Sequence, residues 1–420
     1  MALVDLHVFI RDINRKLLTE IDDYKKLTYR PSFNDVGTWI LDLNLHAAKA
    51  PFLDPRAGGS NPGGGIIVVR NGSILFSGPI DYYQGKGSAE DQSSDDLVVS
   101  GFDDNAVLEQ RTVWPVPANA FTAQGATAFY EISGASTKME TLMRSLVNVQ
   151  TGPGARVERR TPGLVLLADS LRGTNTAYRG KFRFETVIQA LREIAKAAPS
   201  GLSGPFGRGG LGFRVTQNMT GTALEFTVYD IANRINIAKF SPELGNLIEW
   251  DYSAQRPATT FLGLGAGRTA AFSNGPTVAS NLYAYERTDL MFPSLRAEDF
   301  EDVGEVDPAA TDAQAQLDER AESHYDSNAG QVGATFKLLD TESVKFYDHW
   351  RIGDYVSVRM PNLTLQEQVR SITLEYDADR NEQITATVGT EDGAYKRRTP
   401  GIYRRINGVS RKVAKLEVRQ

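Results

Sequence analysis

The chain has 420 residues, with 46 Lys and Arg against 52 Asp and Glu, a net charge of −6, four histidines and no cysteine. The lack of cysteine excludes disulfides, thiol nucleophiles and thiolate metal sites, and His7, His46, His324 and His349 fall at no metal-ligand spacing. A hydrophobic fraction of 41% and a charged fraction of 23% fit a folded chain of several domains, and no apolar run reaches the roughly 18 residues of a membrane-spanning helix.

The opening, MALVDLHVFIRDINRKL, carries Asp5 and mixed charges, unlike a secretory signal. Leu3, Val4, Leu6, Val8 and Ile10 alternate and predict a first strand, and Leu27 to Arg30 predicts another before Pro31. Trp39, Leu41, Leu43 and Leu45 recur at period two, the mark of a half-buried strand. The Gly-rich stretch 57–65 lacks both the Lys-Ser/Thr ending and the following helix of a phosphate cradle, so it is a loop. Ile66 to Arg70, then Asn71-Gly72, then Ser73 to Gly78 predict a β-hairpin, because Asn-Gly supplies the positive φ angles of a type I′ turn. Ile80 to Tyr83 extends the sheet, and a polar loop over 85–96 leads to Leu97-Val98-Val99. Five or six short strands in this span predict a small antiparallel barrel or sandwich.

The stretch SGFDDNAVLEQRTVWP (100–115) divides this β region from a helical one. Two close carboxylates can split their pKa values and act as acid and base, which makes Asp103 and Asp104 a catalytic candidate. Adjacent strand residues point to opposite faces, however, and acids after a strand serve to turn the chain. The expectation is a domain hinge in which Arg111 pairs with the two aspartates, with no catalytic residue.

Beyond it the periodicity becomes helical. Thr137 and Glu140 form a possible capping box before Met139, Leu142, Met143, Leu146 and Val147, and a second helix is predicted by Phe184, Val187, Ile188, Leu191, Ile194 and Ala195. The Gly/Pro-rich link 199–212 has the wrong flanks for a nucleotide loop. Residues 211–215 and 223–229 predict a hairpin turning near 218–222, and 245–252 and 258–268 predict two strands. The segment 296–318 is strongly acidic; its acids near 298–307 are expected to be a solvated linker, and a helix is predicted over 311–327, in which His324 and Tyr325 are surface or packing groups. Strands return at 334–338, 355–359, 369–376 and 383–389. Asp377, Asp379 and Asn381 copy the start of a calcium loop, but Glu382 replaces its glycine and Val388 its closing Glu, so the segment is a hairpin turn.

From Lys396 onward there are nine basic residues and one acid, Glu417, leaving residues 1–395 with 37 bases against 51 acids. A basic tail on an acidic body favours a protein partner over a polyanion. The expected fold is α+β and β-rich. Two small antiparallel β-barrel domains (1–103 and 331–395) flank a mixed α/β domain with two helices (104–240) and a β segment with acidic linker and helix (241–330). The basic tail (396–420) ends the chain.

The order and spacing of GGGIIVVRNGSILFSGPI (63–80), SGFDDNAVLEQRTVWP (100–115), the GNL segment with its Gly-rich strand (245–268) and GDYVSVR…VRSITLEYDADRNEQITATVG (353–389) carry a resemblance. The chain resembles the tail-tip (baseplate) hub or minor tail proteins of long-tailed, siphovirus-type bacteriophages. That resemblance implies a non-enzymatic virion protein at the distal tip of the tail, without cofactor or metal. It implies a homotrimer whose two barrels per chain form a pseudo-sixfold ring, adapting a threefold tip to the sixfold tube and anchoring receptor-binding parts for DNA ejection. The implied partners are the distal tail protein or tube ring, the tape measure protein and tail fibres or other minor tail proteins, with transient contact with ejected DNA. The competing readings are a carbohydrate- or receptor-binding β module using Trp39, Tyr82, Tyr83 or Trp250, and a cell-wall hydrolase using Asp103 and Asp104 or the acids of 298–307.

Overall fold

The computed structural model describes residues 5–47, 49–54, 63–87, 95–125, 128–176, 178–198, 210–254, 260–265, 282–286, 298–303, 332–361 and 363–389. The first run is strand apart from a short 3-10 turn at Ala50–Leu53: β1 (Leu6–Asp12), β2 (Leu17–Ile21), β3 (Tyr24–Arg30), β4 (Thr38–Asn44), β5 (Gly63–Arg70), β6 (Ser73–Lys86) and β7 (Asp96–Phe102). A mixed run comes next: α1 (Ala106–Glu109), β8 (Tyr130–Ser133), α2 (Met139–Gln150), β9 (Leu164–Leu166), β10 (Arg179–Phe182), α3 (Val187–Ala197), β11 (Leu211–Gln217) and β12 (Leu224–Asp230). The last run returns to strand: β13 (Lys239–Phe240), β14 (Leu247–Ala254), β15 (Thr260–Gly265), β16 (Leu282–Glu286), β17 (Glu298–Val303), β18 (Val332–Leu338), β19 (Tyr355–Met360), β20 (Leu363–Asp377) and β21 (Glu382–Gly389).

The hairpin forms as its turn chemistry dictates. Asn71 and Gly72 sit at φ 50° and 73°, and Arg70 faces Ser73 across the two-residue turn. The other turn with a clear polar signature closes likewise: the Asn381 N–H donates to Asp377 Oδ1 at 2.9 Å, and Arg380 takes φ 60°.

The two terminal β regions are not separate. Strands run in the order β14-β18-β21-β20-β3-β4-β7-β6-β5-β1-β2 in one thirteen-stranded sheet, with β19 joined to β20 and β13 to β19. The joint is the antiparallel pairing of β3 with the end of β20, Tyr29 opposite Leu374 and Leu27 opposite Tyr376. Among the described residues this path does not close: it ends at β2 on one side and β14 on the other. The strands expected of two small barrels thus belong to one hydrogen-bonded path, joined where β3 pairs with β20. Two long strands change partners along their length. β6 pairs with β5 up to Pro79 and with β7 from Ile80, and β20 pairs with β19 and then with β21 and β3.

One face of this sheet surrounds a single core running from Leu6, Val8 and Ile10 of β1 to Ile384, Ala386 and Val388 of β21. Trp39, Leu41 and Leu43 of β4 lie fully inside it, as their alternation requires. Each fully buried side chain of this size contributes about 1.5–3 kcal/mol relative to exposure. A second core joins α2 and α3 to β9, β11 and β12. The apolar stripes of both helices face it, including Leu142, Leu146, Leu191 and Ile194. The capping expected of Thr137 and Glu140 is not made. Lys138 holds the cap position of α2, and the first N–H groups of the helix donate to the carbonyls of Gly173 and Arg172. α3 instead carries a full capping box, Thr186 with Gln189.

The acids of 298–303 are also corrected, from a linker to strand β17, which pairs in parallel with β15. β15, β16 and β17 make a separate three-stranded sheet. The loop 57–62, the link 199–209, the predicted helix 311–327 with His324 and Tyr325, and the tail 396–420 lie outside the described residues.

Candidate functional site

The place where chemistry concentrates is a buried polar seam between the two cores. β11 is the outer strand of the sheet β11-β12-β9, so alternate N–H groups along it lack a strand partner. Three side chains from the opposite core fill that edge. Asn34 Oδ1 accepts from the Phe213 N–H at 2.9 Å, Asn105 Oδ1 from Val215 at 2.7 Å, and Ser77 Oγ from Gln217 at 2.7 Å. Asn34 also donates to the Leu211 carbonyl, at 3.1 Å, and Asn105 to that of Asp35, at 2.8 Å. Buried backbone donors left unpaired are costly, so these residues act as a surrogate strand.

Asp104 anchors the seam. Arg11 grips it with both terminal nitrogens, at 2.7 and 2.9 Å, and Ser77 Oγ donates to it at 2.5 Å. Arg11 and Asp104 are 3% and 2% exposed, which closes them to any substrate. Arg11 also donates to Gln217 Oε1 at 2.7 Å, and the Gln217 amide donates to the carbonyls of Arg15 and Gly221. The strands approach so closely beside this cluster that a side chain at Gly78 would strike the Phe102 carbonyl, 1.9 Å from where its Cβ would lie.

Asp103 turns the other way. Its backbone N–H donates to the Gly37 carbonyl at 2.9 Å, and the Tyr29 hydroxyl lies 3.4 Å from its carboxyl, whose pKa burial pushes well above the usual range. The pair therefore has unlike environments, as an acid–base couple would, but both carboxylates are buried and held by groups of the fold itself. Arg111 is not the partner of these acids; Arg11, 93 positions before Asp104, takes that place. The stretch does join the two cores, as a joint pinned on both sides.

A second buried ion pair ties β5 to β21. Arg70 donates to both oxygens of Glu382, at 2.8 and 2.6 Å, and the Tyr376 hydroxyl donates to the same carboxylate at 2.6 Å. Burial works against the Arg70 charge, yet Glu382 holds its pKa above the usual value. Nearby Asp340, 3.8 Å from Arg70, is pushed up to about 6 by burial.

The aromatic candidates separate. Trp39 is core, its indole N–H donating to the Phe102 carbonyl at 3.0 Å, and Tyr83 packs partly buried against the same core. Tyr82 and Trp250 are exposed. His7 meets Asp5 and Glu20, His46 meets Asp95, and His349 Nδ1 accepts from the Lys345 N–H. Among the described residues, no group of three or more His, Asp or Glu converges as a metal site. Sequence reasoning missed Arg11, Asn34, Ser77, Asn105 and Gln217. The one signal available was a charged residue inside the apolar run of β1.

A family model described as Siphovirus ReqiPepy6 Gp37-like protein matches residues 7–390. Among solved structures, the fold is similar to the 43 kDa tail protein of prophage MuSo2 from Shewanella oneidensis. The TM-score there is 0.54 at 14% identity, over 93% of this chain and 99% of that one. It is also similar to a tail protein from Neisseria meningitidis, with a TM-score of 0.53 at 14% identity, over 92% of this chain and 97% of that one. No curated protein matches the sequence.

Proposed function

Because this chain belongs to the Siphovirus ReqiPepy6 Gp37-like family of phage tail proteins, we infer that it works as a homotrimeric hub at the distal tip of the tail. In this reading the terminal β regions form the ring that mates with the sixfold tube or distal tail ring, and the α/β region projects outward to anchor receptor-binding components. The tape measure protein and tail fibres or other minor tail proteins are its further partners, and the chain performs no catalysis. The observation that carries the reading is the likeness of nearly the whole fold to phage tail proteins, over 93% of this chain. The β3–β20 pairing supports it, since it sets the two terminal β regions side by side as consecutive parts of one wall. The buried state of Asp103 and Asp104 also favours a structural role over hydrolysis.

The test is the mass of the purified chain by light scattering at low and moderate salt, followed by imaging of antibody-labelled virions. A mass three times the 46.1 kDa of one chain and label at the tail tip are expected. A chain that stays single and labels no tail tip would overturn the hub.

A further inference from the structure

The long sheet ends on a strand with both faces in water. β14 is paired only with β18 among the described residues, so one row of its backbone groups has no strand partner there. All five side chains from Ile248 to Tyr252 are exposed, Ile248 and Tyr252 at 47% and Trp250 at 39%. Trp250 stands opposite Phe336 of β18, which is fully buried. Residues opposite each other on neighbouring strands share a face, so Trp250 and Tyr252 extend the face of the first core and lie uncovered at its rim. Glu249 and Asp251 alternate with them and belong to the other face. Lys337 stands 3.7 Å from Glu249, whereas Asp251 is opposite Thr335 and has no cation partner among the described residues.

The chain leaves this sheet beside that strand. β21 ends at Gly389, opposite Gly333 of β18, which in turn stands opposite Ser253 of β14. The exit is therefore two strand spacings, about 10 Å, from the end of β14. The six positions 390–395, outside the described residues, reach up to about 20 Å when extended, enough to pass the end of β18. The basic residues begin at the next position, Lys396. Ile402, Tyr403, Ile406, Val409, Val413 and Leu416 are interspersed with them, so the segment brings apolar cover as well as charge. Its nine bases and one acid are attached to a body of 51 acids and 37 bases.

We propose that the segment 396–420 lies along β14 of its own chain and covers the open edge of the sheet. Its apolar residues then take Trp250 and Tyr252 out of water, its backbone supplies partners for the free row of β14, and its bases reach Asp251 and Glu249. Two features select this occupant. The exit point sits beside the strand, and a tethered segment meets its site at an effective concentration that a separate partner does not reach. The inference concerns one chain and does not depend on the trimer.

The experiment uses the full chain, with circular dichroism as the check on folding. Acrylamide quenching of Trp250 is read as the difference between the chain and its Trp250→Phe variant, since Trp39 and Trp350 are buried and Trp114 is common to both. A second pair of proteins carries Arg404→Glu, Arg405→Glu, Arg411→Glu and Lys412→Glu. Trp250 should be shielded with the natural tail and quenched several-fold more readily with the reversed one. Amide exchange across 248–252 should quicken by roughly tenfold in step. Equal quenching with either tail, whether Trp250 is open in both or shielded in both, would overturn the proposal. Because the chain has no cysteine, Asp251→Cys with Arg405→Cys, joined by a flexible bismaleimide, reports whose tail is docked. A link within one chain is expected, and a product of twice the chain mass with no internal link would overturn the assignment to the same chain.

Discussion

At the scale of single residues, the buried Arg11–Asp104 pair decides most. Desolvation opposes the attraction within any buried pair, so its net worth is small, but removing one partner strands the other charge. Asp104→Ala should cost about 3–5 kcal/mol, read as a lower urea midpoint. Asp340 sets a pH dependence. Its folded-state pKa of about 6 lies above the ordinary 3.8, so between these values the native chain keeps a proton that the unfolded chain has released. Stability therefore falls as pH rises from about 4 to about 6. Asp340→Asn should flatten that decline in melts recorded across the window. Little of this was legible beforehand. Asp103 and Asp104 drew attention as a pair, but Arg111, near in sequence, is the obvious partner on local grounds. The true partner is brought close only when β1 and β7 join one sheet.

At the scale of elements, β11 is a strand that borrows side chains in place of a neighbour. Asn105→Ala should leave the Val215 N–H and the Asp35 carbonyl unpaired, at a cost of about 1–3 kcal/mol. Faster hydrogen exchange at the Val215 amide would check that the loss is local. The elements with strong local signals were legible. The Asn-Gly hairpin, the alternating strand at Trp39 to Leu43 and the stripes of α2 and α3 depend on turn chemistry and periodicity within about a dozen residues. Short β8, β9 and β10 were not, since three or four residues carry too little pattern. The cap of α2 misled for a physical reason. Carbonyls from residues 172 and 173 reach its first N–H groups, and Glu140 pairs with Arg172 at 3.0 Å, so no capping box is needed.

At the scale of the molecule, the long sheet and the second core meet along one polar seam, while Arg70 and Glu382 tie strands 312 positions apart. Arg70→Ala should strand the buried Glu382 charge and cost about 3–5 kcal/mol, read as a lower melting temperature.

The amino-acid sequence by itself determined the β-rich class, the hairpin, the two amphipathic helices and the lack of thiol chemistry, because these depend on composition and on interactions between near neighbours. It also placed a β region at each end of the chain. Tertiary structure alone decided that these regions share one sheet and one core, that Asp104 belongs to Arg11, and that the acids of 298–303 lie in a strand. Strand pairing and buried hydrogen bonding are contacts between residues far apart in the chain. Many pairings satisfy the same local pattern, and only the packed fold selects among them.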